Sequence, residues 1–195
     1  IRHRKDDVQH GWMMVAGEGA AGAAMWKKLR RVTGIVALVA LVLDQITKQW
    51  VLTGLLPCLS GPPGPECAVN SPFIEVTGFF NMVVAWNFGV SFSMFYSQHD
   101  LMPFALSLMA IIICGALLWW NRRNDRMLVA LATGMVVGGA IGNVIDRFRF
   151  GAVADFLDFH VVGWHWPAFN VADCCIVVGV GLLLIDGLFS GAEQR

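Results

Sequence analysis

The chain has 195 residues, 56% of them hydrophobic and only 14% charged, with a formal net charge of zero. Soluble domains carry about a quarter charged residues, so this composition excludes water as the main solvent. The balanced charge also leaves no support for a nucleic-acid partner held by phosphate neutralisation.

Residues 1–24 mix His, Arg, Lys and Asp with a Gly/Ala-rich run and begin at Ile1. They read as a disordered extension or an expression remnant, outside the fold. Residues 25–195 then form a single membrane-embedded domain, led by the basic run Met25-Trp26-Lys27-Lys28-Leu29-Arg30-Arg31. The first apolar stretch, residues 32–52, is long enough to cross a bilayer core of about 30 Å as a helix. It is too long for the apolar part of a signal peptide, and it carries Asp44, Gln45 and Lys48. Asp44 and Lys48 stand four apart on one helical face, which suits either a self-neutralising ion pair or a contact with substrate.

Next come Cys58 and Cys67, on either side of the stretch Ser60-Gly61-Pro62-Pro63-Gly64-Pro65. They would bridge if that loop faces an oxidising compartment. From Phe73 to Phe95 the chain is rich in Val, Phe, Ile and Thr and broken by Gly78 and Gly89, which favours short strands in a small sheet on the membrane surface. Further apolar stretches at 101–120, 127–145 and 171–189 complete four spans. The expected fold is therefore an α-helical integral membrane protein with four transmembrane helices and a small extracytoplasmic β-sheet.

In the third span, Gly138-Gly139-Ala140-Ile141-Gly142-Asn143 lets another helix approach closely. Packing does not account for Asn143, Asp146 and Arg147 at its end, which serve either as an interface cap or as part of a site. In the following outer segment, Trp164 and Trp166 suit an interfacial aromatic belt, and His160 and His165 read as interfacial polar residues outside any HExxH frame. Cys114, Cys174 and Cys175 lie in apolar runs as packed thiols. The five cysteines lack short paired spacings with histidines, so neither zinc nor another cofactor is expected.

Lys and Arg cluster before the first span and between the second and third, at Arg122, Arg123 and Arg126, while residues 53–103 contain neither. By the enrichment of basic residues in cytoplasmic loops, both termini should lie inside and the two long loops outside. At that outer edge, Asp155 and Asp173 can reach one depth. Two facing acids share a proton, one acting as base on water and the other as acid toward a peptide carbonyl. Asn170 and Asp173 also fit a helix cap, and capping is compatible with catalysis.

Five segments taken in order resemble the lipoprotein signal peptidase (signal peptidase II) family: Asp44-Gln45-Ile46-Thr47-Lys48, Asn87-Phe88-Gly89-Val90-Ser91-Phe92, Gly142-Asn143-Val144-Ile145-Asp146-Arg147, Val153-Ala154-Asp155-Phe156 and Phe169-Asn170-Val171-Ala172-Asp173. The resemblance implies an aspartic endopeptidase of the bacterial cytoplasmic membrane that removes the signal peptide of diacylglyceryl-modified prolipoproteins. It makes Asp155 and Asp173 the catalytic pair, and Asp44, Lys48, Asn87, Asn143, Asp146, Arg147 and Asn170 residues that shape the site or hold substrate. It also implies partners: the membrane-embedded prolipoprotein, the phospholipid bilayer and globomycin-type inhibitors. The chain departs from the family at Phe88, where a small or hydroxylated residue is common, and in an enlarged loop at 56–70.

Competing readings make other expectations. A proton-coupled transporter would place its acids near the midplane within an inverted repeat, and a purely structural subunit would tolerate neutralisation of every acid. A serine or cysteine intramembrane protease would need a His partner beside its nucleophile.

Overall fold

The computed structural model describes residues 3–55, 73–89, 101–122 and 124–190. Cys58 and Cys67, the 56–70 loop, and Val90, Ser91 and Phe92 of the second motif lie outside the described residues.

Helix α1 runs His3–Trp50 and continues into a π-helical turn, Val51–Leu55. The backbone is thus already helical well before the apolar window, which begins at Gly22. Strands β1 (Ile74–Thr77) and β2 (Phe80–Asn87) follow, then α2 (Met102–Asn121) and α3 (Met127–Phe150). Strands β3 (Val153–Val161) and β4 (Trp164–His165) and helix α4 (Val171–Ser190) complete the order. Among the described residues, four helices are long and apolar enough to span a membrane.

The faces of α1 show why the bundle needs lipid. Ile35, Leu38, Val42 and Ile46 form an exposed apolar stripe at helical spacing, while Thr33, Asp44 and Lys48 are buried. Polar side chains point inward and aliphatic ones outward, the reverse of a helix on a water-soluble protein. Helix α3 is the hub and packs against the other three. Its small residues permit this: a Cβ on Gly138 would strike the carbonyl oxygen of Ala37, and one on Gly139 would lie 2.5 Å from that of Ala172. The inference of close helix approach at the glycine run holds, against two neighbours at once.

At one end of the bundle, Thr33 donates to the carbonyl of Ala130 at 3.1 Å and accepts from Asn121 Nδ2 at 3.0 Å. This ties the basic segment of α1 to the basic ends of α2 and α3. The opposite end carries an antiparallel sheet of order β1-β2-β3-β4. Val84, Ala154 and Phe156 of the sheet pack with Val51 and Leu52 of the π-helical turn.

The strands at 74–87 fall where composition places them, but half of the sheet comes from the second outer segment, whose sequence reads only as a returning loop. The third span also runs beyond residue 145, its expected end, and closes at Gly151, whose φ of 74° is a left-handed cap. Asp146 and Arg147 therefore sit inside a helix and not in the loop after it.

Candidate active site

The turn at Gly151 sends the chain directly into β3, and antiparallel pairing with β2 sets Ala85 opposite Asp155 and Asn87 opposite Val153. Asn87 and Asp155 are thus diagonal cross-strand neighbours on one face. Asn87 Nδ2 donates to Asp155 Oδ2 at 3.2 Å. The chain then returns along β3: Leu157 and Phe169 exchange both backbone hydrogen bonds, at 2.9 and 3.1 Å. That bridge brings Asn170 abreast of Asp155 at the start of α4.

Asn170, fully buried, joins the two candidate acids. Its Nδ2 donates to Asp155 Oδ1 at 2.6 Å. Its Oδ1 accepts the backbone N–H of Asp173 at 2.9 Å, and its own N–H donates to Asp173 Oδ2 at 3.3 Å. The reciprocal pair is a capping box, so the expected cap at Asn170 and Asp173 is present. Asn143 Nδ2 donates to Asp173 Oδ1 at 2.9 Å, and Asn143 Oδ1 accepts from Asn170 Nδ2 at 3.2 Å. Two amides therefore connect both carboxyl groups in one continuous network.

Beneath it lies a buried ionic cluster. Lys48 Nζ contacts Asp44 Oδ2 at 2.8 Å and Asp146 Oδ2 at 2.7 Å, and donates to Asn143 Oδ1 at 3.0 Å. The self-neutralising pair expected along α1 forms, with a second acid from α3 added. Desolvating such a group costs several kcal/mol, so each remaining lone pair needs a donor. Asp44 Oδ1 accepts the N–H of Ala172 in the first turn of α4, at 3.0 Å, and Asp146 Oδ2 accepts that of Ala154 on β3, at 3.3 Å. The cluster thus pins two backbone positions, each immediately preceding one of the two acids.

Lys48 also orients Asn143. An ammonium has only protons to offer, so the amide must turn its oxygen toward Lys48 and its nitrogen toward Asp173.

Gln45, a polar residue of the first apolar stretch that the sequence does not assign to the site, belongs to this cluster. Its Nε2 lies 3.2 Å from Asp44 Oδ2, 3.1 Å from Asp146 Oδ1 and 3.3 Å from the Gly142 carbonyl. The available signal was an amide inside an apolar helix, which requires a partner.

Arg147 donates through Nη1 to the Asn143 carbonyl at 3.3 Å and lies within electrostatic reach of Asp173, Asp155 and Asp146. All nine residues marked in the sequence converge on this end of the bundle. They differ in exposure to the cavity there, about 180 Å³ between α2, α3, α4 and the sheet. Asn87, Asn143, Arg147 and Asp173 line it, with Leu106, Met109 and Ile176. Asp155 stands one hydrogen bond behind the wall, on Asn87. Burial, then the charge of Asp173, push its carboxyl up to about 7, against the lowering effect of Asn87, Lys48 and Asn170.

The second outer segment carries a separate polar group. Asp158 accepts from His165 Nδ1 at 2.9 Å and from Asn81 Nδ2 at 3.1 Å. Trp164 and Trp166 are exposed and meet edge to face, as an interfacial pair would. Of the thiols, Cys114 is packed as expected; Cys174 is exposed on the outward side of α4, a correction to the reading of all three as packed.

Comparison with known proteins places this architecture. Residues 36–189 match the family model described as Signal peptidase (SPase) II. The lipoprotein signal peptidase of Rhodopseudomonas palustris is 40% identical over 168 residues, covering 83% of this chain and 94% of that protein. That of Pseudoalteromonas atlantica is 37% identical over 153 residues, covering 77% and 85%. A solved bacterial membrane enzyme superposes with a TM-score of 0.67 at 24% identity, over 84% of this chain and 91% of its own, a likeness of fold. With the match spanning all four apolar helices and the sheet between them, this chain belongs to the signal peptidase II family.

Proposed function

We propose that this peptidase removes the signal peptide from diacylglyceryl-modified prolipoproteins, using Asp155, Asp173 and a water activated between them. The observation that carries the reading is the double attachment of Asn170, which holds Asp155 through its side-chain amide and Asp173 through a reciprocal cap. Two acids fixed to one buried residue cannot drift apart independently, and the position of a reacting carbonyl between them is set in advance.

The proton that the pair shares resides on Asp155, the more buried member. Asp173, at the cavity wall, takes a proton from water as the water oxygen attacks the scissile carbonyl carbon. Asp155 gives its proton to the carbonyl oxygen, approaching from the side where Asn87 makes the longer of its two side-chain hydrogen bonds. Collapse of the tetrahedral intermediate breaks the C–N bond: the proton held by Asp173 passes to the departing amine, and Asp155 takes back a proton from the hydroxyl that becomes the new C=O. No covalent enzyme intermediate is needed.

Arg147 on the wall offsets part of the negative charge of the pair, and Lys48, Asp44, Gln45 and Asp146 hold the frame. The relatives' function, the apolar helices and the distribution of basic residues support a place in the bacterial cytoplasmic membrane. In that arrangement both termini are cytoplasmic and the sheet faces the extracytoplasmic side. Globomycin-type cyclic peptides would then compete for the cavity.

The test is a gel-shift assay on a diacylglyceryl-modified prolipoprotein with purified enzyme, with and without globomycin. Wild type converts the substrate and the antibiotic blocks it, while Asp155→Asn and Asp173→Asn each lower the rate at least a thousandfold. Cleavage by either variant at the wild-type rate would falsify the dyad.

A further inference from the structure

Asp173 and Ile176, three residues apart on α4, line two cavities at once. One is the polar cleft among α2, α3 and α4. The other is larger, about 540 Å³, and follows the outward side of α4. Its upper end is formed by Trp166 and Phe169 beside Asp173, and its lower end by Val177 and Val178, with Cys174 between. Asp173 apart, these walls are apolar. At a rise of 1.5 Å per residue, Val178 lies about 7.5 Å further along the helix than Asp173. The groove therefore starts at a carboxylate beside a half-exposed tryptophan, a residue of the headgroup level, and descends toward hydrocarbon.

We propose that this groove seats one acyl chain of the diacylglyceryl group on the substrate cysteine, while the polar cleft receives the peptide. The inference rests on the peptidase reading above and gives it a lipid subsite. Such a substrate is tethered to the bilayer on both sides of the bond to be cut: a signal helix precedes it and a lipid-bearing cysteine follows it. Two membrane-borne arms that diverge from one bond need two depressions that converge on the reacting acid. The cavities sharing Asp173 and Ile176 have that relation.

A further apolar pocket, about 370 Å³ against Phe79, Phe159 and Trp164, contains no acid and shares no residue with the cleft. The volume of the α4 groove falls in the range of specific small-ligand sites, about 300–1,000 Å³. A chain already dissolved in the bilayer gains little from burial against protein. The groove therefore acts by register, holding the cysteine end while the carbonyl meets the carboxyl groups. A free phospholipid has no link to the peptide in the cleft, and for that reason the occupant is the substrate's own chain.

The experiment uses a prolipoprotein whose diacylglyceryl chains carry a terminal diazirine, bound to Asp155→Asn enzyme in phospholipid nanodiscs and photolysed. Adducts are expected at residues 174–178, resistant to excess phospholipid. They should fall at least fivefold in a background also carrying Val177→Trp, and not with Leu184→Trp, a control at an exposed position elsewhere on α4. Both side chains point outward, so neither indole disturbs the core. Adducts spread evenly over the outward faces of α1 and α2 would overturn the subsite. Equal labelling of residues 174–178 by a diazirine phospholipid without substrate would do the same. If wild-type enzyme left the probe uncleaved, the peptidase reading itself would fall, a separate result from cleavage without adducts on α4.

Discussion

Asp155 is 3% exposed, and its carboxyl is raised to about 7 by burial and by the charge of Asp173. A raised acid favours its protonated form in the fold. Between about pH 4 and pH 7 the folded protein keeps a proton that the unfolded chain has lost, so stability declines as pH rises through that interval. The shift corresponds to about 4 kcal/mol. The thermal midpoint of wild type in detergent should drop on the order of 10 °C between pH 5 and pH 8. Asp155→Asn should lose most of that dependence, and a variant with the wild-type slope would assign the titration elsewhere. Cleavage should fall along an alkaline limb near pH 7, where the shared proton leaves the pair. That these acids stand near each other was legible from their motifs and from the depth each could reach. Which one is the buried member was not, because it depends on Asn87 from a different loop and on the bridge that brings Asn170 alongside β3.

Among the elements, the helices announced themselves by twenty-residue apolar runs, and the sheet only in part. Strand β2 reads as a strand because Val83, Val84 and Trp86 dominate it. Strand β3 does not, because Asp155, Asp158 and His160 interrupt its apolar pattern. The two acids are tolerated since the fold supplies Asn170 to Asp155 and His165 and Asn81 to Asp158, while His160 stacks on the His165 ring, and no local rule contains that information. The end of α3 was obscured in the same way: Asp146, Arg147 and Arg149 lower the hydropathy of a helix that continues to Phe150.

The close seat of α1 on α3 leads to a paired prediction. A Cβ at Gly142 would collide with the carboxylate of Asp44, the group that bonds Lys48 and the N–H of Ala172. Gly142→Ala should therefore cost about 1–3 kcal/mol, as overpacking does, and lower cleavage at least tenfold. Gly115 on α2 has open space around it, and Gly115→Ala should leave cleavage unchanged and stability equal or slightly higher, by up to about 1 kcal/mol. Thermal unfolding in detergent with a parallel gel shift separates the two; equal behaviour would mean that Asp44 can move aside without consequence.

Taken whole, the molecule is polarised along the bundle axis. Lys27, Lys28, Arg30 and Arg31 lie within α1 just before its apolar stretch, Arg122 caps the end of α2 and Arg126 precedes α3. The contacts among Thr33, Asn121 and Ala130 hold these basic segments at one end. At the other end, Lys48 is buried within the Asp44 and Asp146 cluster, and Arg147 and Arg149 lie near the turn into the sheet. Basic residues resist translocation, so the Thr33 end should face the cytoplasm and the sheet the exterior. In the proposed mechanism a prolipoprotein held by its signal helix presents its cleavage site at the outer surface, and this orientation would bring Asp155 and Asp173 to it. The check is a pair of single cysteines in a background with the native cysteines replaced by alanine. Gly78→Cys stands in the exposed turn between β1 and β2, and Asp125→Cys in the link between α2 and α3. In intact spheroplasts a membrane-impermeant maleimide should label the first fully and the second only after lysis. The reverse pattern would put the carboxyl pair on the cytoplasmic side, where a substrate spanning the membrane in the proposed sense could not present its bond to them.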